Sequence, residues 1–226
     1  MIEVLFIQIP AGANRDKMFV GLRSVVSKEC CAEALGYGNK EVALRRLLGE
    51  ALVRFALKKC WNLTSEDYRI DRGEKGKPFI VGVENVFFNI SHSGDYVVCA
   101  VSDREIGIVI EKRAKARMEV AGRFFHGEEV AQLKMLEEDK QDQLFFNYWS
   151  VKESFLKYIG TGLTRPLNSF IVSFSGGDVS LFEGGNKLPL YVHVCPVDDG
   201  YACHVCCEYE ELTGIHEIFL EEITGC

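Results

Sequence analysis

The 226-residue chain predicts an α+β fold, and three features of it carry that expectation. Two stretches, Lys40 to Lys59 and Phe145 to Tyr158, place apolar residues at helical spacing. Short apolar runs of strand length stand between and after them, broken by polar and glycine-rich turns. A faint repeat is also visible: a strand at Ile2 to Ile9 precedes the first helix, and one at Ile106 to Glu111 precedes the second.

The central stretch runs from Phe87 to Glu111 and reads as strand, turn, strand, turn, strand. Phe87, Phe88 and Ile90 lead into Ser91-His92-Ser93-Gly94, where glycine permits the positive φ of a tight turn. Ser91 and His92, as turn residues, are expected to bond their own backbone. Tyr96 to Val101 has the length of a buried strand, and Ser102 to Glu105 breaks it. Period two then sends Ile106, Ile108 and Ile110 to one face, and Gly107, Val109 and Glu111 to the other. A carboxylate therefore ends a strand beside a glycine gap, a geometry suited to a charged ligand approaching the backbone.

The other elements are read in the same way. Ile2 to Pro10 opens the chain as a strand followed by a polar loop, and Asp16 to Val26 is helical. Cys30 to Asn39 has no clear pattern. Lys40 to Lys59 offers Val42, Leu47, Leu48, Leu52, Phe55 and Ala56 to a core, with Arg45 and Arg46 riding on the helix. A short strand at Tyr68 to Ile70 precedes a charged, glycine-rich loop, Asp71 to Pro78, whose proline restricts Lys77. Helices are expected over Met118 to Phe125 and Gly127 to Leu136, then a charged loop over Glu137 to Gln143. In the Phe145 to Tyr158 helix, Phe146, Trp149, Phe155 and Leu156 face the core, while Glu153 and Lys157 are four apart and neighbours. Beyond Gly160-Thr161-Gly162 the chain is β-rich. It has a hairpin about Gly176-Gly177, a pair of strands about Pro196 to Gly200, and a closing strand at Ile215 to Ile223.

Composition bounds the function. Hydrophobic content of 47% and charged content of 26% describe an ordinary globular protein, and the net charge of −7 argues against a general nucleic-acid binder. No run approaches the length of a membrane span and no basic leader precedes an apolar block, so a cytoplasmic protein is expected. Nine cysteines lie mostly in apolar surroundings. Cys203-His204-Val205-Cys206-Cys207 lies in a strand and has no second Cys-x-x-Cys, so core packing is favoured over a zinc site or a redox role.

Four motifs in order then resemble the Sfp-type 4′-phosphopantetheinyl transferases. They are Gly76-Lys77-Pro78, Phe88-Asn89-Ile90-Ser91-His92-Ser93-Gly94, Gly107-Ile108-Val109-Ile110-Glu111-Lys112, and Trp149-Ser150-Val151-Lys152-Glu153-Ser154-Phe155-Leu156-Lys157. The resemblance spans nearly the whole chain. It implies two similar α/β halves in pseudo-two-fold arrangement, here 1–105 and 106–226, with the faint repeat agreeing and the active-site cleft between them. It further implies Mg²⁺-dependent transfer of phosphopantetheine from coenzyme A to a serine of an acyl or peptidyl carrier protein, the activity of a holo-[acyl-carrier-protein] synthase.

Site residues follow from the same resemblance. Glu111 and Glu153 would hold the metal, Glu153 would also activate the serine, and Lys157 would put positive charge on the phosphates. Arg45, Lys77, Pro78, Ser91, His92 and Lys157 would bind coenzyme A, Ser91 and His92 at its 3′-phosphate. Arg113, Lys115 and Arg117 form a basic cluster that could steer an acidic carrier protein. Two positions depart from the family pattern. Val109 stands where the family has a metal-binding aspartate, and Lys28 is the one basic residue of Ser27 to Gly36, where the family tends to carry several. Two readings therefore stand: a working transferase, or a member that binds coenzyme A or carrier protein without turnover. Two internal halves complete a cleft without a partner chain, so a monomer is expected.

Overall fold

The computed structural model of the chain describes residues 1–12 and 14–225. Ala13, in the polar loop after Pro10, and Cys226, the last cysteine, lie outside the described residues. In chain order the elements begin with β1 (Ile2–Gln8), α1 (Asn14–Leu22), α2 (Lys28–Gly36) and α3 (Lys40–Trp61). Then come β2 (Arg69–Arg72), β3 (Pro78–Val81), β4 (Phe87–Ser93), β5 (Tyr96–Ser102) and β6 (Gly107–Lys112). Three helices follow, α4 (Met118–Phe124), α5 (Gly127–Lys134) and α6 (Glu138–Tyr158). The chain ends with β7 (Ile171–Ser175), β8 (Asp178–Glu183), β9 (Asn186–Lys187), β10 (Tyr191–Val194), β11 (Tyr201–Cys207), β12 (Gly214–Glu217) and α7 (Leu220–Thr224).

These elements build the expected α+β fold around two sheets. One has the order β12-β1-β5-β4, the other β6-β11-β10-β8-β7 with β9 on β8. The outer face of the first sheet packs on α1, α2 and α3, and that of the second on α4, α5 and α6. A third core lies where the two sheets meet, formed by Ile2, Val4, Phe6, Tyr96 and Val98 with Ile106, Ile108, Ile110, Cys203 and Val205. The isoleucine face read from the period-two pattern is thus the face that joins the sheets. The turn from β5 into β6 takes the chain from one sheet to the other. The C-terminal segment then returns, because β12 pairs parallel with β1 and α7 packs beside α1 and α3.

Local chemistry explains where several elements start and stop. Ser27 caps α2, its hydroxyl accepting from Cys30 N at 3.0 Å, so most of the patternless Cys30 to Asn39 stretch is helix. Asn39 caps α3, which ends where Asn62 turns left-handed at φ +55°. Leu47, Leu48, Leu52 and Ala56 are buried as expected, but Val42 is 41% exposed because it sits in the solvent-facing first turn.

Three expectations are corrected. The charged stretch Glu137 to Gln143 is not a loop; α6 starts at Glu138, and Glu138 and Asp139 sit at the helix end that favours negative charge. The expected closing strand, Ile215 to Ile223, keeps only its first three residues in β12 (Gly214–Glu217), and α7 follows, with the Glu222 carboxylate accepting from Phe219 N at 2.8 Å. The Asp71 to Pro78 loop is the tip of a hairpin, because β2 runs to Arg72 and β3 begins at Pro78.

Two buried polar groups anchor the second half. Lys152 and Glu129 form an ion pair at 2.8 Å with both side chains withdrawn from solvent. Lys152 Nζ also donates to the carbonyls of Leu167 and Phe170, and Glu129 accepts from Val172 N and His126 N. His204, in β11, meets Ser150 Oγ on α6 at 2.7 Å, while Cys203 and Cys207 face the core between the sheets and Cys206 the core under α6.

Lys152→Met leaves the Glu129 carboxylate buried without its cation, and should cost about 3–5 kcal/mol by urea denaturation. Adding Glu129→Gln should recover part of that loss. Burial, helped by the nearby Arg113 charge, holds His204 down to about 3. The unfolded chain takes this proton near 6.5 and the folded chain does not, so stability falls as pH falls between those values. The slope from this one group approaches about 1.4 kcal/mol per pH unit. Stability against pH should show it, and His204→Gln should flatten it.

Candidate active site

The two sheets meet edge to edge at β4 and β6, but their backbones do not pair. Side chains of β4 stand in for the missing ladder. Asn89 Oδ1 accepts from Ile108 N at 3.0 Å, Ser91 Oγ from Ile110 N at 3.2 Å, and Ser93 Oγ from Lys112 N at 3.0 Å. Both sets of numbers advance by two, so the strands run parallel with acceptors spaced at the strand repeat. Lys157, reaching from α6, staples the same seam by donating to the Ile90 and Ile108 carbonyls, each at 3.0 Å.

Gly107 sets how closely α6 approaches. A Cβ there would lie 2.1 Å from Ser154 O and 2.4 Å from Tyr158 N, so only glycine admits the helix. The gap expected to receive a ligand is therefore filled by the backbone of α6. Val109, next on that face, is fully buried and pairs with His204. Glu111, the third residue of the face, is half-buried, and its Oε2 accepts from Ser93 Oγ at 3.0 Å.

Glu111, Glu153 and Lys157 come together at this seam, from strand and helix positions 42 or more residues apart in the chain. Burial raises both carboxyls above the usual range. Lys157 offsets this at each, the Ser93 bond offsets it further at Glu111, and the Glu111 charge adds to the rise at Glu153. Burial also pulls the Lys157 ammonium down to about 8, with the two carboxylates holding it from falling further. His92 projects to solvent at the end of β4, where partial desolvation and the Arg45 and Lys157 charges keep it below the ordinary histidine value. Arg45 donates from Nη2 to Gly94 O at 2.6 Å, which fixes it at the same turn.

Other candidates have different surroundings. Ser91 does not bond its own backbone but crosses the seam to Ile110. Lys77 is drawn inward, donating to Glu105 Oε2 at 2.7 Å and to the Tyr158 carbonyl at 3.2 Å. Arg113 turns back to the Asp199 carbonyl, Lys115 pairs with Glu138 at 3.0 Å, and Arg117 is exposed. A cleft of about 780 Å³ opens beside the seam, with Phe88 and Ile90 in its lining and walls of both charges, where Arg46 and Arg54 pair with Glu33 and Glu50. It touches the cluster through Ile90, whose side chain lines the cleft and whose carbonyl takes Lys157. All its lining residues fall between 24 and 90.

The profile of the 4′-phosphopantetheinyl transferase superfamily matches residues 105–206, and that of the 4′-phosphopantetheinyl transferase N-terminal family matches 15–104. The chain is 36% identical over 221 residues to 4′-phosphopantetheinyl transferase Sfp of Bacillus subtilis (strain 168), covering 97% of this chain and 94% of that one. This chain belongs to the 4′-phosphopantetheinyl transferase superfamily. A second family member, 4′-phosphopantetheinyl transferase gsp of Aneurinibacillus migulanus, is 35% identical over 215 residues, covering 95% and 90% of the two chains. A solved structure, Thermotoga maritima holo-[acyl-carrier-protein] synthase, aligns with 45% of this chain and 61% of its own at 20% identity and a TM-score of 0.38.

Within this family member, the sequence pattern singled out Glu111, Glu153 and Lys157 but gave no role to Asn89 or Ser93. Short hydrogen-bonding side chains at every second position of the strand, Asn89, Ser91 and Ser93, were the available signal. Lys157→Met removes the charge that both carboxylates share. Glu111 and Glu153 should then titrate at still higher pH, read by carboxyl ¹³C chemical shifts.

Proposed function

We propose that this chain moves the 4′-phosphopantetheinyl group of coenzyme A to a serine hydroxyl of an acyl or peptidyl carrier protein. The observation that carries this reading is the seam cluster of Glu111, Glu153 and Lys157, two carboxylates and an ammonium brought together from strand and helix. Coenzyme A would lie along the seam with its phosphates toward Arg45, His92 and Lys157, which stand at the seam and outside the lining of the cleft. Ser91 accepts from Ile110 N and keeps its own proton for a phosphate oxygen. Lys77 spends its hydrogen bonds on protein carbonyls and Glu105, so its part and that of Pro78 is to wall the nucleotide end.

Mg²⁺ prefers oxygen ligands and is commonly held by one or two carboxylates together with substrate phosphates and waters. Glu111 and Glu153 meet that donor set, and Val109 adds no oxygen to it. When bound, the ion would supply charge neutralisation at the pyrophosphate. Among the described residues no hydrogen-bond donor engages Glu153, which leaves its oxygens available. A carboxylate with an oxygen free in this way can serve as general base. In the transfer, the serine oxygen bonds to phosphorus as Glu153 takes its proton. The adenosine 3′,5′-bisphosphate leaves with the electron pair of the broken P–O bond. Lys157 holds positive charge beside the phosphates throughout.

The carrier protein would approach Lys115 and Arg117, because Arg113 is withdrawn into the fold. A cytoplasmic monomer of two halves divided at 105/106, binding neither nucleic acid nor membrane, completes the proposal. In support, no helix among the described residues is long and apolar enough to cross a membrane.

A carrier protein incubated with coenzyme A, Mg²⁺ and this chain should gain the mass of phosphopantetheine. Glu153→Gln should slow the gain by about 10²–10⁴-fold, and Val109→Asp should lower the Mg²⁺ concentration needed. No mass gain on acyl and peptidyl carriers alike, with Mg²⁺ or Mn²⁺, would overturn the proposal.

A further inference from the structure

Ser93 bonds differently from the other two seam acceptors. Its hydroxyl accepts from Lys112 N at 3.0 Å and donates to Glu111 Oε2 at 3.0 Å. A hydroxyl has one proton. With the peptide N–H occupying a lone pair, that proton is committed to the carboxylate, and the two bonds form an N–H···O–H···⁻O relay in which each polarises the other. Ser93 therefore grips the backbone on the C-terminal side of Glu111 and the Glu111 side chain together. One carboxylate oxygen is tied down and the other is left for the cluster. Asn89 and Ser91 bond only the β6 backbone at their rungs, with no tie to Glu111.

We propose that Ser93 is a positioning residue for Glu111, holding its second oxygen toward Glu153 and the bound cation. The inference rests on the reading of Glu111 as a metal ligand. It extends that reading by making metal affinity depend on a hydroxyl that never touches the metal. Groups that orient metal ligands typically contribute 10–100-fold to affinity or activity.

The test uses the full chain with coenzyme A, and Mn²⁺ as the probe followed by electron paramagnetic resonance. Ser93→Ala should weaken Mn²⁺ binding by about 10- to 100-fold and lower kcat in proportion, with KM for the carrier protein unmoved. Ser93→Thr keeps the hydroxyl and should restore both. Asn89→Ala removes a seam bond that does not reach Glu111; it should lower the melting temperature at least as much, yet leave Mn²⁺ affinity in place. Should Ser93→Ala fold poorly, Ser93→Cys, with its weak thiol donor, should show the same loss of Mn²⁺ affinity.

Parental Mn²⁺ affinity in Ser93→Ala or Ser93→Cys would overturn the inference, as would equal losses in Ser93→Ala and Asn89→Ala. Glu111→Gln separates this from the parent reading. If Glu111→Gln loses Mn²⁺ binding while Ser93→Ala keeps it, the role of Ser93 falls and the metal site stands. If Glu111→Gln binds Mn²⁺ and turns over like the parent, both fall.

Discussion

The structure depends on one substitution of side chain for backbone. Strand edges leave a row of N–H and C=O groups that need partners once water is excluded. Here β4 and β6 adjoin without a backbone ladder between them, and Asn89, Ser91 and Ser93 reach the N–H groups of Ile108, Ile110 and Lys112. Because the acceptors recur at the strand repeat, they fix register as well as separation. A slip by one residue would turn the isoleucine face of β6 away from the core between the sheets. That register sets where Glu111 lies relative to the His92 turn and to α6.

The close approach of α6 depends on the same strand. Gly107 lets Ser154 and Tyr158 of the helix lie against β6, which puts Glu153 and Lys157 within electrostatic reach of Glu111. Lys157 then bonds one carbonyl from each edge strand, so the residue that carries positive charge in the cluster also holds the sheets together. Site and seam share Ser93 and Lys157, while Asn89 serves the seam alone.

Buried charge elsewhere in the molecule shows the contrast. Lys152 and Glu129 are fully enclosed and their bonding capacity is met by each other and by backbone groups, which is the chemistry of a structural pair. Glu111 and Glu153 are half-buried, share one ammonium between two carboxylates, and keep oxygens unengaged. Burial raises both pKa values, the Glu111 charge adds to the rise at Glu153, and a pair of carboxylates in a partly dry site favours a cation. Val109, fully buried on the same face of β6, brings no charge to this site.

Periodicity alone determined much of this protein. The alternation in Ile106 to Glu111 assigned both faces of β6 correctly, and helical spacing located α3 and the core of α6, because burial of one face imposes a period that composition cannot hide. The ordered motifs determined the family and singled out Glu111, Glu153 and Lys157. Tertiary structure decided the rest. It converted the charged run at Glu138 from an apparent loop into a solvated helix start, and filled the Gly107 gap with a helix instead of a ligand. It turned Lys77 inward and gave Ser91 and Ser93 partners 19 residues away. Hydrogen bonds between side chains and distant backbone carry no period. A sequence can present an acceptor at every second position, but only the folded chain supplies the donor opposite it.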